Sequence, residues 1–70
     1  MHRRQVDSTV IASIAYDATT GTLEVEFHSG RVYRYLDVPK QLYWRFASAD
    51  SCGTFFNEEV RDRFTEEKVR

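Results

Sequence analysis

"GRVYRYLDVP", residues 30–39, is the stretch whose reading decides the fold. Two tyrosines flank an arginine, and Asp37-Val38-Pro39 ends the run. Tyr33 and Tyr35 on an open surface beside Arg34 would make a stacking platform for single-stranded nucleic acid. Turned inward, the same tyrosines are the core of a small sheet with hydroxyls at its rim. The turns around the stretch separate these readings.

Working outward, three runs rich in β-branched and aromatic residues, "VIASIAY" (10–16), "TLEVEF" (22–27) and "RVYRYL" (31–36), are separated by "DATTG" and "HSG". Such spacing with a glycine in each turn predicts an antiparallel meander. A four-residue loop over Ala18–Gly21 sets Asp17 opposite Thr22, Tyr16 opposite Leu23 and Ile14 opposite Val25. A three-residue loop over His28–Gly30, with Gly30 left-handed, pairs Phe27 with Arg31, Val25 with Tyr33 and Leu23 with Tyr35. Both tyrosines then share the face of Leu23, Val25 and Phe27, while Glu24 lies across from Arg34 as a favourable cross-strand pair. A two-residue Ser29-Gly30 turn would instead place Arg34 on the apolar face, which is costly for an unpaired charge. The inward reading of Tyr33 and Tyr35 follows.

Beyond the strands the hydrophobic period changes. Val38, Leu42, Phe46 and Ala49 recur at helical spacing, with Pro39 suited to a first turn and Asp37 placed to satisfy open amides there. In "DSCGTFFNEEVRDRF" (50–64), Ser51 and Thr54 are candidate caps, and Phe56, Val60 and Phe64 follow at i, i+4 and i+8. Gly53 falls between the two helices, where a positive φ or a close backbone approach would call for glycine. The expected fold class is α+β: a three-stranded antiparallel β-meander with one face covered by two short C-terminal helices. Residues 1–70 read as one domain, with 1–7 a mobile polar leader.

Composition sets the limits of function. Seventy residues, 41% hydrophobic and 30% charged, suit one small soluble globule. The formal charge of −1 weighs against strong autonomous nucleic-acid binding. The charges are unevenly spread, however: residues 31–45 carry four cations against Asp37 alone, and residues 50–67 carry six acids against two arginines. Cys52 has no partner for an internal disulfide, and no apolar run has signal-peptide or transmembrane length, so the expected location is a reducing cytoplasm without membrane attachment.

Tyr16-Asp17 before the first turn, "LEVEF", the Tyr-x-Tyr of Tyr33 and Tyr35, "DVP", Leu42-Tyr43, Ser51-x-Gly53 and Phe56-Asn57 occur together in this order. With "DSTVI" near the start, the chain resembles the KTSC domain over nearly its whole length. That module is named for the C-terminus of some lysyl-tRNA synthetases and also occurs free-standing in bacteria. The resemblance implies no established activity, and it suggests RNA binding through the synthetase connection.

Candidate chemistry is sparse. His28 sits in a hairpin turn, and Cys52 lies near a helix start without a nearby histidine. No spaced ligand set suggests a metal, and no glycine loop suggests a phosphate cofactor, so the expectation is a protein without catalysis, cofactor or metal. Binding is better supported. "RVYRYLDVPKQLYWR" (31–45) interleaves cations and aromatics, the pattern that tracks a phosphate backbone and stacks bases. Trp44 lies about 200° around its helix from Leu42 and faces solvent, or else closes an edge of the core. The candidate nucleic-acid-binding residues are Arg31, Arg34, Lys40, Tyr43, Trp44 and Arg45. Two functions remain: a weak accessory module for RNA or single-stranded nucleic acid, or a protein-interaction or self-association module centred on Trp44.

Overall fold

The computed structural model describes residues 2–6 and 8–70, His2 through its backbone. Five antiparallel strands form one sheet in the order β1-β2-β3-β4-β5: β1 (His2–Gln5), β2 (Ile11–Asp17), β3 (Thr22–Phe27), β4 (Val32–Leu36) and β5 (Thr65–Lys68). Between β4 and β5 run α1 (Lys40–Ala47) and α2 (Cys52–Phe55), the latter continuing into a π-helical segment over Phe56–Val60. The class is α+β, and the expected three-stranded count is corrected to five. β1 comes from the segment read as a leader, of which Met1 and Asp7 lie outside the described residues. "HRRQ" and "TEEK" carry no apolar alternation because each is an edge strand, held by its neighbour's backbone. Charged side chains also keep such edges from pairing with other chains.

The central register is the one the turns demand. Leu23 pairs with Tyr35, Glu24 with Arg34 and Val25 with Tyr33, and Ile14 pairs with Val25 and Tyr16 with Leu23. Gly30, at φ 96°, closes the three-residue loop by donating its amide to the Phe27 carbonyl, and the Phe27 amide donates to Arg31. At φ 70°, Gly21 donates to Asp17 and accepts from the Val38 amide at 2.9 Å, so the β2–β3 turn anchors the segment entering α1. An irregularity between Ile11 and Ser13 inserts one residue into β2. Ile11 therefore joins Ile14 in the core, and Ser13 turns to the other face.

Beneath the helices lies an apolar cluster of Ile11, Ile14, Leu23, Val25, Tyr35, Val38, Phe46, Cys52, Phe56 and Val60. Tyr35 is 1% exposed, and its ring meets Phe56 edge-on at 5.7 Å. Three local expectations are corrected. Asp37 caps nothing: it sits at φ 58°, turning the chain between β4 and α1, whose N-cap is Pro39 with no side-chain bond. Phe64 lies past the helix, in the bend before β5, because the helix ends at Val60 and Asp62 reverses the chain at φ 61°. Gly53 has neither a positive φ nor a close approach, since an added Cβ would meet only the Ser8 hydroxyl, at 3.9 Å. Ser51 does cap α2, accepting from the Thr54 amide at 3.2 Å.

Candidate nucleic-acid interface

The face of the sheet away from the helices is ionic. Glu24, 8% exposed, receives hydrogen bonds from the guanidinium groups of Arg3 and, at 3.3 Å, Arg34. Arg3 also donates to Ser13 Oγ at 2.8 Å, and Ser13 Oγ donates to Glu26 at 2.9 Å. Arg70 comes within 3.7 Å of Glu26. Beneath this network Ala15 and Val32 are buried, outside the main cluster. Arg34 is thus committed to Glu24, on the face opposite the helices.

The other candidates divide between the two ends of β4. Lys40, Tyr43, Trp44 and Arg45 are brought together on α1. The Tyr16 hydroxyl donates to the Val38 carbonyl at 2.6 Å, and its ring stacks on Tyr43 with centroids 5.0 Å apart and planes 12° apart. Trp44 leans on Tyr43 at 5.5 Å and remains 52% exposed. This three-ring series begins at the sheet and ends in an open indole face, with Lys40 one helical turn before it. Arg45 is more occupied: it donates to Glu59 at 3.0 Å and lies 5.3 Å from the centre of the Phe55 ring.

Arg31 stands apart, at the β3–β4 loop. It lines a mainly apolar cleft of about 360 Å³ with Thr9, Val10, Phe27, His28 and Tyr33. Phe27 and Tyr33 meet edge to face at 6.0 Å, and both stay partly exposed. On their other side, the same rings share a second cleft of about 310 Å³ with Arg61, Asp62 and Glu66. Tyr33 faces Lys68 across β4 and β5. None of the ion pairs among the described residues involves Arg31, Lys40, Arg61 or Lys68. Sequence reasoning missed Val10 and Phe27 here because the Arg31 cleft is assembled from β3, β4, the loop between them and the segment before β2. The one local signal was the shared face of Phe27, Arg31 and Tyr33.

The remaining polar groups have structural partners. The Tyr35 hydroxyl donates to Glu66 at 2.8 Å, and burial together with that carboxylate pushes the phenol far up from its ordinary range. Cys52 is buried with its Sγ 3.6 Å from the Phe46 carbonyl, and burial raises its thiol too, which disfavours a nucleophilic thiolate. His28 lies with Nε2 2.8 Å from the Ser8 carbonyl, so this nitrogen carries the hydrogen and donates it. No helix among the described residues is long and apolar enough to cross a membrane.

A five-stranded sheet in sequential order, with one face under a helix pair and an ionic opposite face, defines a small α+β domain. The KTSC domain sequence model matches residues 7–64. The chain belongs to the KTSC domain family. A protein from Stutzerimonas stutzeri (strain A1501) is 41% identical over 58 residues, 83% of this chain and 82% of that one. A lysine–tRNA ligase from Nostoc punctiforme is 35% identical over 63 residues, which are 90% of this chain and 11% of the enzyme. The crystal structure of a KTSC domain protein from Yersinia pestis superposes with a TM-score of 0.95 at 36% identity, covering 99% of this chain and 97% of that one.

Proposed function

We propose that the protein is a non-enzymatic binding module that holds single-stranded RNA weakly through the outward face of α1, in the cytoplasm. The observation that carries this reading is the half-exposed Trp44, backed by Tyr43 and Tyr16 and preceded by Lys40, which is in no ion pair among the described residues. An aromatic face held rigid from behind loses little freedom when a base stacks on it, and such stacking contributes roughly 1–3 kcal/mol per base. Lys40 and, once it leaves Glu59, Arg45 supply phosphate contacts. The similarity to a segment of lysine–tRNA ligases, enzymes named for joining lysine to tRNA, supports an RNA partner. Few cations are gathered, so affinity is expected in the micromolar range or poorer.

The alternative is a protein contact at the same tryptophan. It is favoured by the acidic residues beside Arg45, since Glu58 and Glu59 share its cleft and would repel phosphate. A titration with single-stranded RNA, single-stranded DNA and duplexes at two salt concentrations decides between them. RNA binding should weaken steeply with salt, whereas an apolar protein contact should hold. No binding to any nucleic acid, together with a dimer abolished by Trp44→Ala, would replace the RNA reading with self-association.

A further inference from the structure

We infer that the Phe27–Tyr33 cleft is a second binding site, for one nucleoside monophosphate unit, with the base against the two rings and the phosphate on Arg31. The site lies across the molecule from Trp44, at the other end of β4, and does not rest on the reading of α1. Three observations carry it. The first is size and lining. About 360 Å³ lies at the small end of the range of ligand pockets, enough for a ring and its substituents but not for a protein face. Its walls are the Phe27 and Tyr33 rings and the aliphatic Val10, which is half-exposed although large and apolar. Such a surface suits a flat ring.

The second observation is charge. Arg31 lines the cleft, two residues before Tyr33 and on its face. Arg31 is paired with no carboxylate among the described residues, in contrast to Arg34 and Arg45. An anion can take this charge without displacing a partner among the described residues. The third concerns the choice between the two clefts that share the rings. The one toward β5 is lined by Asp62 and Glu66, which repel an anion, whereas no carboxylate among the described residues lines the one toward Arg31. A ring bearing a negative group is therefore directed to the Arg31 side. Thr9 and Ser29 hydroxyls at the wall can meet polar atoms of the ring edge.

The test is an amide-shift titration of the full chain with AMP, UMP, adenosine and inorganic phosphate, and with a short single-stranded oligoadenylate. AMP should move the resonances of Val10, Phe27, His28, Arg31 and Tyr33, more than adenosine or phosphate does at equal concentration. Charge reversal at the exposed Arg31 should weaken AMP by roughly tenfold, and Tyr33→Leu should weaken it with the charge in place. Trp44→Ala should leave it unchanged, which separates this site from the α1 surface. Tighter binding of the oligonucleotide than of AMP would place the unit within a strand, and equal binding would make it a free mononucleotide. Inorganic phosphate giving the same shifts as AMP, AMP shifts confined to α1, or no shifts at all would overturn the proposal.

Discussion

Leu23, Val25 and Phe27 lie under the helices, whereas Glu24 and Glu26, one residue along the same strand, lie under arginines from β1, β4 and the C-terminal end. Alternation along β3 thus sends one set of side chains into an apolar core and the other into an ionic layer. The two faces respond differently to perturbation. Burial is nondirectional and insensitive to salt, and truncation there leaves a cavity. The ionic layer depends on geometry and on every carboxylate oxygen keeping its donor, because removing one partner strands the others.

The largest expected effect falls on the apolar face. Tyr35→Ala removes the ring between Leu23 and Phe56 along with the hydroxyl that donates to Glu66. The loss should be about 3–5 kcal/mol, a large part of the stability of a domain this size. Urea denaturation measures it. A loss below about 1 kcal/mol would mean that Tyr35 is not a core residue and that the two faces do not differ as described.

The tyrosines also show how far the sequence carries. Gly30 and Gly21 set the loop lengths, and with them the register, so the directions of Tyr33, Arg34 and Tyr35 are legible in the sequence alone. The edge strands are not, because "HRRQ" and "TEEK" have no pattern of their own and gain strand geometry only from β2 and β4. The burial of Ser13 is hidden by the inserted residue near Ala12, which reverses the alternation of β2. Of the candidate binding residues, those on α1 are legible as a group. Arg31 and Arg34 join them only by proximity along the chain, which the three-dimensional arrangement does not preserve. The cleft at Arg31 also draws on Thr9 and Val10, from the segment before β2, and no local pattern links them to Arg31.

A middle-sized effect tests the ionic face. Glu24→Gln keeps the shape but removes the charge between Arg3 and Arg34, leaving two guanidinium groups beside a neutral amide. The expected loss is about 1–3 kcal/mol, reduced from the buried-pair range because both arginines reach solvent. Adding salt should cost the wild type more than the variant, since only the wild type has the attraction to screen. Equal salt responses would show that the layer contributes shape rather than charge.

A third effect appears at alkaline pH and belongs to the apolar side. Because the fold raises the phenol of Tyr35, the neutral form is favoured in the native state. Its contribution is complete below about pH 10, where the unfolded chain also holds the proton, and it is lost as pH rises above that point toward the folded-state value. Cys52 acts in the same direction from a lower starting pH, since its thiol is raised by burial. Thermal midpoints should therefore fall above about pH 9, and Tyr35→Phe should flatten the part of the decline above about pH 10. A variant with an unchanged alkaline slope would assign the decline elsewhere.

The smallest stability effect is expected outside both faces, at Trp44. Its indole is half in solvent and leans on Tyr43, which keeps its stack on Tyr16 when Trp44 is removed. Trp44→Ala should change unfolding free energy by about 0.5 kcal/mol or less, within the usual range for surface substitutions. Binding should respond much more: affinity for single-stranded RNA falls further than affinity for duplexes, because only unpaired bases can lie on the indole. Measuring both quantities on one variant separates a tryptophan kept for contact from one that closes the core. A loss of several kcal/mol in stability with unchanged RNA affinity would assign Trp44 to the apolar face and remove the α1 surface from the binding proposal.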